Sequence, residues 1–105
     1  MKFDHIALVS KNIDKSLSWY SNHFDDFKIN YKDDTWASCN LNGISLSFVS
    51  PHQHPQHIAF NITEKEAKTL FSEKIFKKHR DGTSSCYIND PDGNKIEFLI
   101  RPKDE

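Results

Sequence analysis

Three side chains with metal-binding chemistry stand alone on otherwise apolar stretches of the chain. They are the imidazoles of His5 and His57 and the carboxylate of Glu97. Two neutral imidazoles and one carboxylate form a set that binds Fe(II), Mn(II) or a similar divalent ion and leaves positions open for substrate. Three protein ligands with open positions indicate a catalytic rather than a structural metal. The three residues are therefore a candidate metal centre.

A purely structural role is the competing interpretation. A histidine on a strand usually serves as a hydrogen-bonded structural residue, and a glutamate on an exposed strand face is usually solvated. A repeat in the sequence favours the metal site, because the tripeptide His-Ile-Ala at residues 5–7 recurs at residues 57–59. Both histidines thus occupy the same place in their copy of the repeat.

The repeat extends over the whole chain. Each copy continues with a helical pattern and shorter strand-like pieces, and each ends with a glycine followed by alternating apolar residues at 43–48 and 93–98. The copies cover about residues 1–51 and 55–105, and a segment with two prolines joins them. Two copies are too few for a solenoid. The order within each copy reads β-α-β-β-β, which predicts an α+β fold made of two fused half-domains in one domain.

Predicted helices decide which face of the strands carries the histidines. Asn12 is a candidate N-cap, and residues 63–66 have the pattern of a capping box. Apolar residues at helical spacing predict the buried sides, namely Ile13, Leu17, Tyr20 and Phe24 in the first helix and Ala67, Leu70 and Phe71 in the second. We expect these helices to cover the side of the sheet that holds Ile6 and Leu8 in one copy and Ile58 and Phe60 in the other. The histidines then lie on the opposite side.

Strand parity places Glu97 with the histidines. Ile96 and Phe98 are apolar and should face the helix, so Glu97 faces the other way. The preceding turn at residues 89–93 contains Asp-Gly, which suits the positive-φ position of a hairpin. The sequence thus predicts that two imidazoles and a carboxylate gather on the concave face of a single sheet.

Composition excludes several classes of function. The chain has 105 residues, with 14 Lys and Arg against 15 Asp and Glu, so nucleic acid is not an expected partner. No apolar run approaches the roughly 20 residues of a membrane span, and no signal-peptide pattern opens the chain. Cys39 and Cys86 read as free core thiols, and we expect a cytoplasmic location. The thin core of so small a domain favours a homodimer.

The sequence resembles the vicinal oxygen chelate superfamily, which includes glyoxalases, bleomycin-resistance proteins and extradiol dioxygenases. The resemblance covers nearly the whole chain, through residues 5–9, 17–20, 57–60 and 90–98. The stretch Asp-Pro-Asp-Gly-Asn-Lys-Ile-Glu at 90–97 is its most specific signature. It implies tandem βαβββ modules that form a cupped mixed sheet around a cavity, often assembled as a dimer.

The resemblance also implies metal ligands on the first and last strand of each module. These positions hold His5, Ser47, His57 and Glu97. Ser47 departs from the pattern of glyoxalase I enzymes, which place a carboxylate or similar ligand there, so that activity is disfavoured. Fosfomycin-modifying enzymes carry cationic residues after the glutamate. Here only Arg101 and Lys103 could serve, and this makes that interpretation weak.

Other residues are candidates for the substrate cavity. Tyr87 should share a face with Glu97, and similar dioxygenases place a tyrosine nearby to bind a substrate oxygen. Alternatively, Tyr87 and Trp36 simply wall the cavity with aromatic surface. Ser47 and Asn61 are the remaining cavity candidates. His52 and His54, in the linker, are either solvated or close enough to act as an acid or base; the sequence leaves this open.

Three functions remain possible at the level of sequence. The leading hypothesis is a metal-dependent lyase or dioxygenase that uses one divalent ion (Fe2+, Mn2+, Ni2+ or Zn2+) to bind two adjacent oxygens of a small substrate. The alternative is a metal-free binding protein of the bleomycin-resistance type, which sequesters an aromatic or amphiphilic molecule. The third is an inactive or regulatory module with an incomplete site.

Overall fold

A computed structural model describes residues 1–71 and 76–102 of the chain. This part of the chain has the element order β-α-β-β-β twice over, which confirms the predicted α+β class. The first set is β1 (Lys2–Val9), α1 (Ile13–His23), β2 (Phe27–Lys32), β3 (Trp36–Leu41) and β4 (Ile44–Val49). The second set is β5 (His57–Asn61), α2 (Glu64–Leu70), β6 (Lys77–Lys78), β7 (Ser84–Asn89) and β8 (Lys95–Ile100). Neither α1 nor α2 has the length and apolar character that crossing a bilayer requires.

Contacts divide the chain into two compact units. The N-terminal unit is His5–His57, and the C-terminal unit combines Met1–Asp4 with Ile58–Glu105. The first residues of β1 pack with the second repeat because several contacts hold them there. Phe3 lies edge-on to Phe60 at 5.9 Å between ring centroids, and Arg101 donates two hydrogen bonds to the Asp4 carboxylate at 2.9 and 3.0 Å. One boundary between the units therefore passes through β1, and the other follows His57 at the end of the linker.

In the N-terminal unit the strand order is β2-β3-β4-β1, with β1 parallel to β4 and the other pairs antiparallel. Helix α1 begins at the predicted cap, where the Asn12 side chain accepts a hydrogen bond from the backbone of Lys15 at 3.0 Å. Its apolar side packs on one face of this sheet. The buried cluster consists of Ile13, Leu17, Ala37, Cys39, Leu46 and Phe48, with Ile6, Leu8 and Tyr20 partly buried against it. Phe24 was predicted to continue this side but lies beyond the end of the helix and is exposed.

In the C-terminal unit the strand order is β5-β8-β7-β6. The predicted capping box starts α2: the Thr63 hydroxyl accepts from the Glu66 backbone at 3.0 Å, and the Glu66 carboxylate accepts from the Thr63 backbone at 3.1 Å. The buried cluster consists of Ile62, Ala67, Cys86 and Phe98, with Phe60, Phe71, Phe76, Ile88, Ile96 and Ile100 packed against it. Each of the two units thus buries the apolar side of its helix against its own strands.

Two residues predicted to be buried, one on α2 and one on the strand that it covers, are exposed instead. Leu70 is 54% exposed and Ile58 is 39% exposed. Phe71 caps the end of α2, and its ring lies 4.5 Å from that of Phe98 in the buried cluster, whereas Leu70, the last residue of the helix, is not part of that cluster. A helix of seven residues is also only about 10 Å long. It covers the Ile62 end of the strand segment and leaves Ile58 exposed.

Candidate metal centre

His5 and His57 come together within the N-terminal unit. Their ring centroids are 5.4 Å apart, and the ring planes meet at 73°. His5 lies on the face of the sheet away from α1, because its neighbour Ile6 packs against the helix and side chains alternate along a strand. His57 is buried, with 7% of its surface exposed. The two repeated histidines of the sequence therefore form one pair in the structure.

The linker fixes the tautomer of His57. Its Nδ1 atom lies 2.7 Å from the carbonyl oxygen of Pro55. A carbonyl oxygen only accepts hydrogen bonds, so Nδ1 carries the hydrogen and the Nε2 atom of the neutral ring carries the lone pair. Histidines that bind metals are commonly oriented in this way, by donating their second ring N–H to a backbone carbonyl. The geometry of His57 therefore suits a ligand that binds through Nε2.

We call the face opposite α1 the open face of the N-terminal unit; it carries His5, Ala7, Ser38, Ser47 and Trp36. Ala7 pairs with Ser47 across β1 and β4, and Ser47 pairs with Ser38 across β4 and β3. Trp36 lies on the same face because it precedes Ser38 by two residues in β3. Ser47 is buried, whereas 38% of Trp36 is exposed. These residues line the sheet beside His5 with hydroxyl and aromatic groups.

Glu97 and Tyr87 form a pair within the C-terminal unit. They are direct partners across β7 and β8, as the strand parity predicts. Glu97 is buried, with 8% of its surface exposed, and Tyr87 is half-buried. Burial raises the pKa of Tyr87, and the Glu97 charge and the hydrogen bond between the two side chains raise it further. At neutral pH the phenol is therefore a hydrogen-bond donor and the carboxylate is its acceptor.

The turn before β8 holds this register. Asp90 accepts hydrogen bonds from the backbones of Asp92 at 2.9 Å and Asn94 at 2.8 Å, and Gly93 has the positive φ that the sequence predicts. A shift of one residue would turn Glu97 toward the helix side of the strands. The most specific motif of the sequence thus acts partly by fixing which way Glu97 points.

The other residues singled out in the sequence differ in burial and in their contacts. Asn61 is half-buried in β5. In the linker, His52 is exposed, and the ring centroid of His54 lies 6.4 Å from that of His57. Arg101 is engaged with Asp4, while Lys103 lies outside the described residues. Cys39 is fully buried, and burial raises its pKa to about 11, which fits the predicted core role.

Two features of this region were not predicted from the sequence. One is the Pro55 carbonyl that orients His57, because every residue type has a backbone carbonyl and the sequence does not indicate which one will contact the ring. The other is Tyr31, whose ring lies 4.8 Å from that of Trp36 at the edge of the open face. A bulge in β2 places Tyr31 there, and the alternation of the sequence gives no sign of it.

Solved structures with the same fold come from several bacteria. One is a glyoxalase/bleomycin resistance protein/dioxygenase superfamily member from Vibrio splendidus 12B01, with 13% identity and a TM-score of 0.67, where the match covers 94% of this chain and 99% of that one. Another is a protein from Legionella pneumophila named as an NAD-dependent benzaldehyde dehydrogenase, with 17% identity, a TM-score of 0.68 and coverage of 92% and 97%. At such identities the likeness concerns the fold.

A larger protein contains the same fold as a part. The 2,3-dioxygenase LapB from Pseudomonas sp. KL28 has 16% identity and a TM-score of 0.61, and the match covers 96% of this chain but 42% of LapB. No curated protein matches the sequence. The model of the Glyoxalase/Bleomycin resistance protein/Dioxygenase superfamily, however, matches residues 2–98. Since this is nearly the whole chain, the protein belongs to that superfamily.

Proposed function

We propose that the protein is a metal-dependent enzyme that acts on a small substrate with two adjacent oxygen atoms. His5, His57 and Glu97 would each supply one ligand atom to a single divalent ion. The observation that carries this proposal is the histidine pair, in which two imidazoles lie 5.4 Å apart and one has its Nδ1 hydrogen bound to a backbone carbonyl. Membership of the superfamily favours the same chemistry.

The donor set fits such an ion. A carboxylate that is 8% exposed is costly to bury unless it is paired or binds a cation, and Glu97 has a phenol donor as one partner. Two imidazoles and a carboxylate suit Fe2+, Mn2+, Ni2+ and Zn2+, so the ligands leave the identity of the ion open. Ser47 occupies the position equivalent to Glu97 in the first repeat, and its neutral hydroxyl is a poor ligand. We therefore expect three protein ligands and open positions for the two substrate oxygens.

Each side chain has a distinct role in the proposed reaction. When bound, the ion supplies a Lewis acid that stabilises negative charge on a substrate oxygen. His57 presents Nε2 because its Nδ1 hydrogen is held by Pro55, and Tyr87 orients the Glu97 carboxylate through its hydroxyl. The raised pKa of Tyr87 keeps the proton on Oη, so its one hydroxyl hydrogen stays available for the Glu97 carboxylate or, in exchange for that bond, for a substrate oxyanion. These roles agree with a lyase or a dioxygenase.

Metal analysis tests the proposal. Protein purified without chelator is assayed by mass spectrometry of its metals, and stripped protein is titrated with Fe2+, Mn2+, Ni2+ and Zn2+ by calorimetry. We expect one ion per chain in the wild type. His57→Ala should lose the ion, and His52→Ala, which alters an exposed linker histidine, should keep it. A His57→Ala variant that retains full metal content would refute the proposed ligand set.

A further inference from the structure

Two aromatic side chains form an exposed pair at the edge of the open face. The rings of Tyr31 and Trp36 lie 4.8 Å apart between centroids, tilted by 33°. Tyr31 is 47% exposed and Trp36 is 38% exposed. Large aromatic rings gain free energy when they are covered, so an exposed pair of this kind is suited to bind a flat apolar group.

A single carboxylate ties the Tyr31 side chain to the backbone of Trp36. Asp33 accepts a hydrogen bond from the Tyr31 hydroxyl at 2.7 Å and one from the Trp36 backbone at 3.0 Å. It also accepts from the backbone and the hydroxyl of Thr35, at 2.8 and 2.9 Å. The Tyr31 ring and the backbone of Trp36 are therefore held in place in the unliganded protein, which lowers the entropy cost of binding.

A β-bulge directs Tyr31 to the open face. Ile29 pairs with Cys39, which is part of the core beneath α1, and regular alternation would turn Tyr31 to that same side. The irregularity between Ile29 and Tyr31 inserts one residue, so Tyr31 pairs with Ser38 instead. Bulges that redirect a side chain in this way are common next to functional sites. This feature is independent of the hydrogen bonds at Asp33, and it also places Tyr31 beside Trp36.

The pair lies at a distance from the histidines that the strand register fixes. Trp36 pairs with Val49, and Val49 pairs with Val9, which follows His5 by four residues in β1. The separation between Trp36 and His5 is therefore roughly 13 Å along the strands and about 10 Å across two strands. Between them the open face carries the uncharged Ser47. A molecule that contacts both ends must be elongated, with an uncharged middle.

We propose that Tyr31 and Trp36 bind a flat, apolar tail of the substrate, while its two oxygens lie at the histidines. This inference rests on the proposed function, because the oxygen-bearing head belongs to the metal site. It adds a substrate class: an elongated molecule with two adjacent oxygens at one end and an aromatic group at the other. A compact substrate would leave the aromatic pair uncovered.

Two matched probes test the tail. 4-Butylcatechol has two adjacent oxygens and a flexible uncharged chain, and 4-(4-phenylbutyl)catechol adds one phenyl ring at the far end of that chain. Calorimetry with the metal-loaded protein should show that the phenyl ring lowers the Kd by about tenfold, since stacking on an aromatic side chain has effects of this size. Trp36→Phe should keep most of this gain, and Trp36→Ala should lose it. Trp19→Ala is the matched control, because Trp19 is exposed on α1.

The outcomes separate this inference from the metal proposal. In stripped protein, binding of 4-hydroxybiphenyl that requires Trp36 would support the tail site even if no metal binds. No gain from the phenyl ring in the wild type, or the same gain in Trp36→Ala, would overturn it. A third result would also overturn it: Trp36→Ala binds the phenyl probe as tightly as the wild type but self-associates differently in sedimentation velocity. The open face would then be an interface between copies of the chain. If Trp36→Ala does not fold, NMR of the wild type gives the answer. The phenyl probe should shift the indole N–H resonance of Trp36 and leave the indole resonance of Trp19 unchanged; an unshifted Trp36 resonance would overturn the inference.

Discussion

At the scale of single residues, the hydrogen-bond partner of each proposed metal ligand matters as much as the residue type of the ligand. His57 owes its orientation to a backbone carbonyl, and Glu97 has the hydroxyl of Tyr87 as a hydrogen-bond donor. Partners of this kind orient metal ligands and tune their basicity. His57 was predicted from its residue type and Tyr87 from strand parity. The Pro55 carbonyl could not be predicted, because the linker path that delivers it depends on the folded chain.

Replacing Tyr87 tests this idea. Tyr87→Phe removes the hydroxyl that orients the Glu97 carboxylate, and loss of such a partner commonly weakens metal affinity by about 10- to 100-fold. We expect a loss of this size in a chelator-competition titration. Tyr31→Phe, which removes an exposed hydroxyl bound to Asp33, should leave the affinity unchanged. Equal affinities of wild type and Tyr87→Phe would show that the phenol has no part in orienting the ligand.

At the scale of elements, local signals set where helices and turns begin. Both helix caps appear as the sequence predicts, because a cap needs only a side-chain oxygen and backbone donors a few residues away. The buried side of α2 was predicted less well. Leu70 and Phe71 are both apolar, and only the position of the sheet decides which of them is covered.

The capping box of α2 should contribute measurably to stability. Thr63→Ala leaves a backbone donor of the first turn without its side-chain partner, at a cost of about 1 kcal/mol. For a domain of this size that corresponds to a decrease in Tm of about 4–8 °C. Calorimetric melting measures it, with Thr69→Ala as control, since the Thr69 hydroxyl bonds to a carbonyl inside the helix. A decrease no larger than that of the control would contradict the role of the box.

The turn between β2 and β3 should depend on pH through Asp33. Hydrogen bonds, first from Tyr31 and then from Thr35 and Trp36, lower its pKa to about 2. A lowered folded-state pKa means that the stabilisation is fully present above the unfolded value of about 3.8 and is lost as the pH falls toward 2. The difference in unfolding free energy between wild type and Asp33→Asn should therefore shrink between pH 4 and pH 2. Asp34→Asn is the control, and a difference that stays constant over this range would contradict the assignment.

At the scale of the whole molecule, the chain consists of two units built on the same element order. The sequence repeat predicts this order and a division near the linker. Contacts also divide the chain after His57, and in addition they assign residues 1–4 to the C-terminal unit. Stability of so small a chain depends on a thin core, so a bound ion should add to it by mass action. The homodimer predicted from this core is a separate expectation, which sedimentation velocity of the wild type measures.

Metal binding should raise the melting temperature of the whole chain. At a free ion concentration of one hundred times Kd, the folded state gains about 2.7 kcal/mol. This corresponds to an increase in Tm of roughly 10 °C or more. Differential scanning calorimetry should find this increase in the wild type and not in His57→Ala or Glu97→Gln. An equal increase in these variants would show that the ion binds elsewhere, and a shift caused by 4-(4-phenylbutyl)catechol alone would favour a metal-free binding protein.

The sequence by itself determined the class of fold, the two helix caps and the strand faces of His5 and Glu97. These depend on alternation and on contacts between residues close in the chain, which residue types report directly. Only the tertiary structure decided that His5 and His57 lie 5.4 Å apart, that Pro55 sets the tautomer, and that a bulge brings Tyr31 to Trp36. These features result from strand register and from competition among distant contacts. A local sequence pattern does not predict them, because these contacts form only when the whole chain packs.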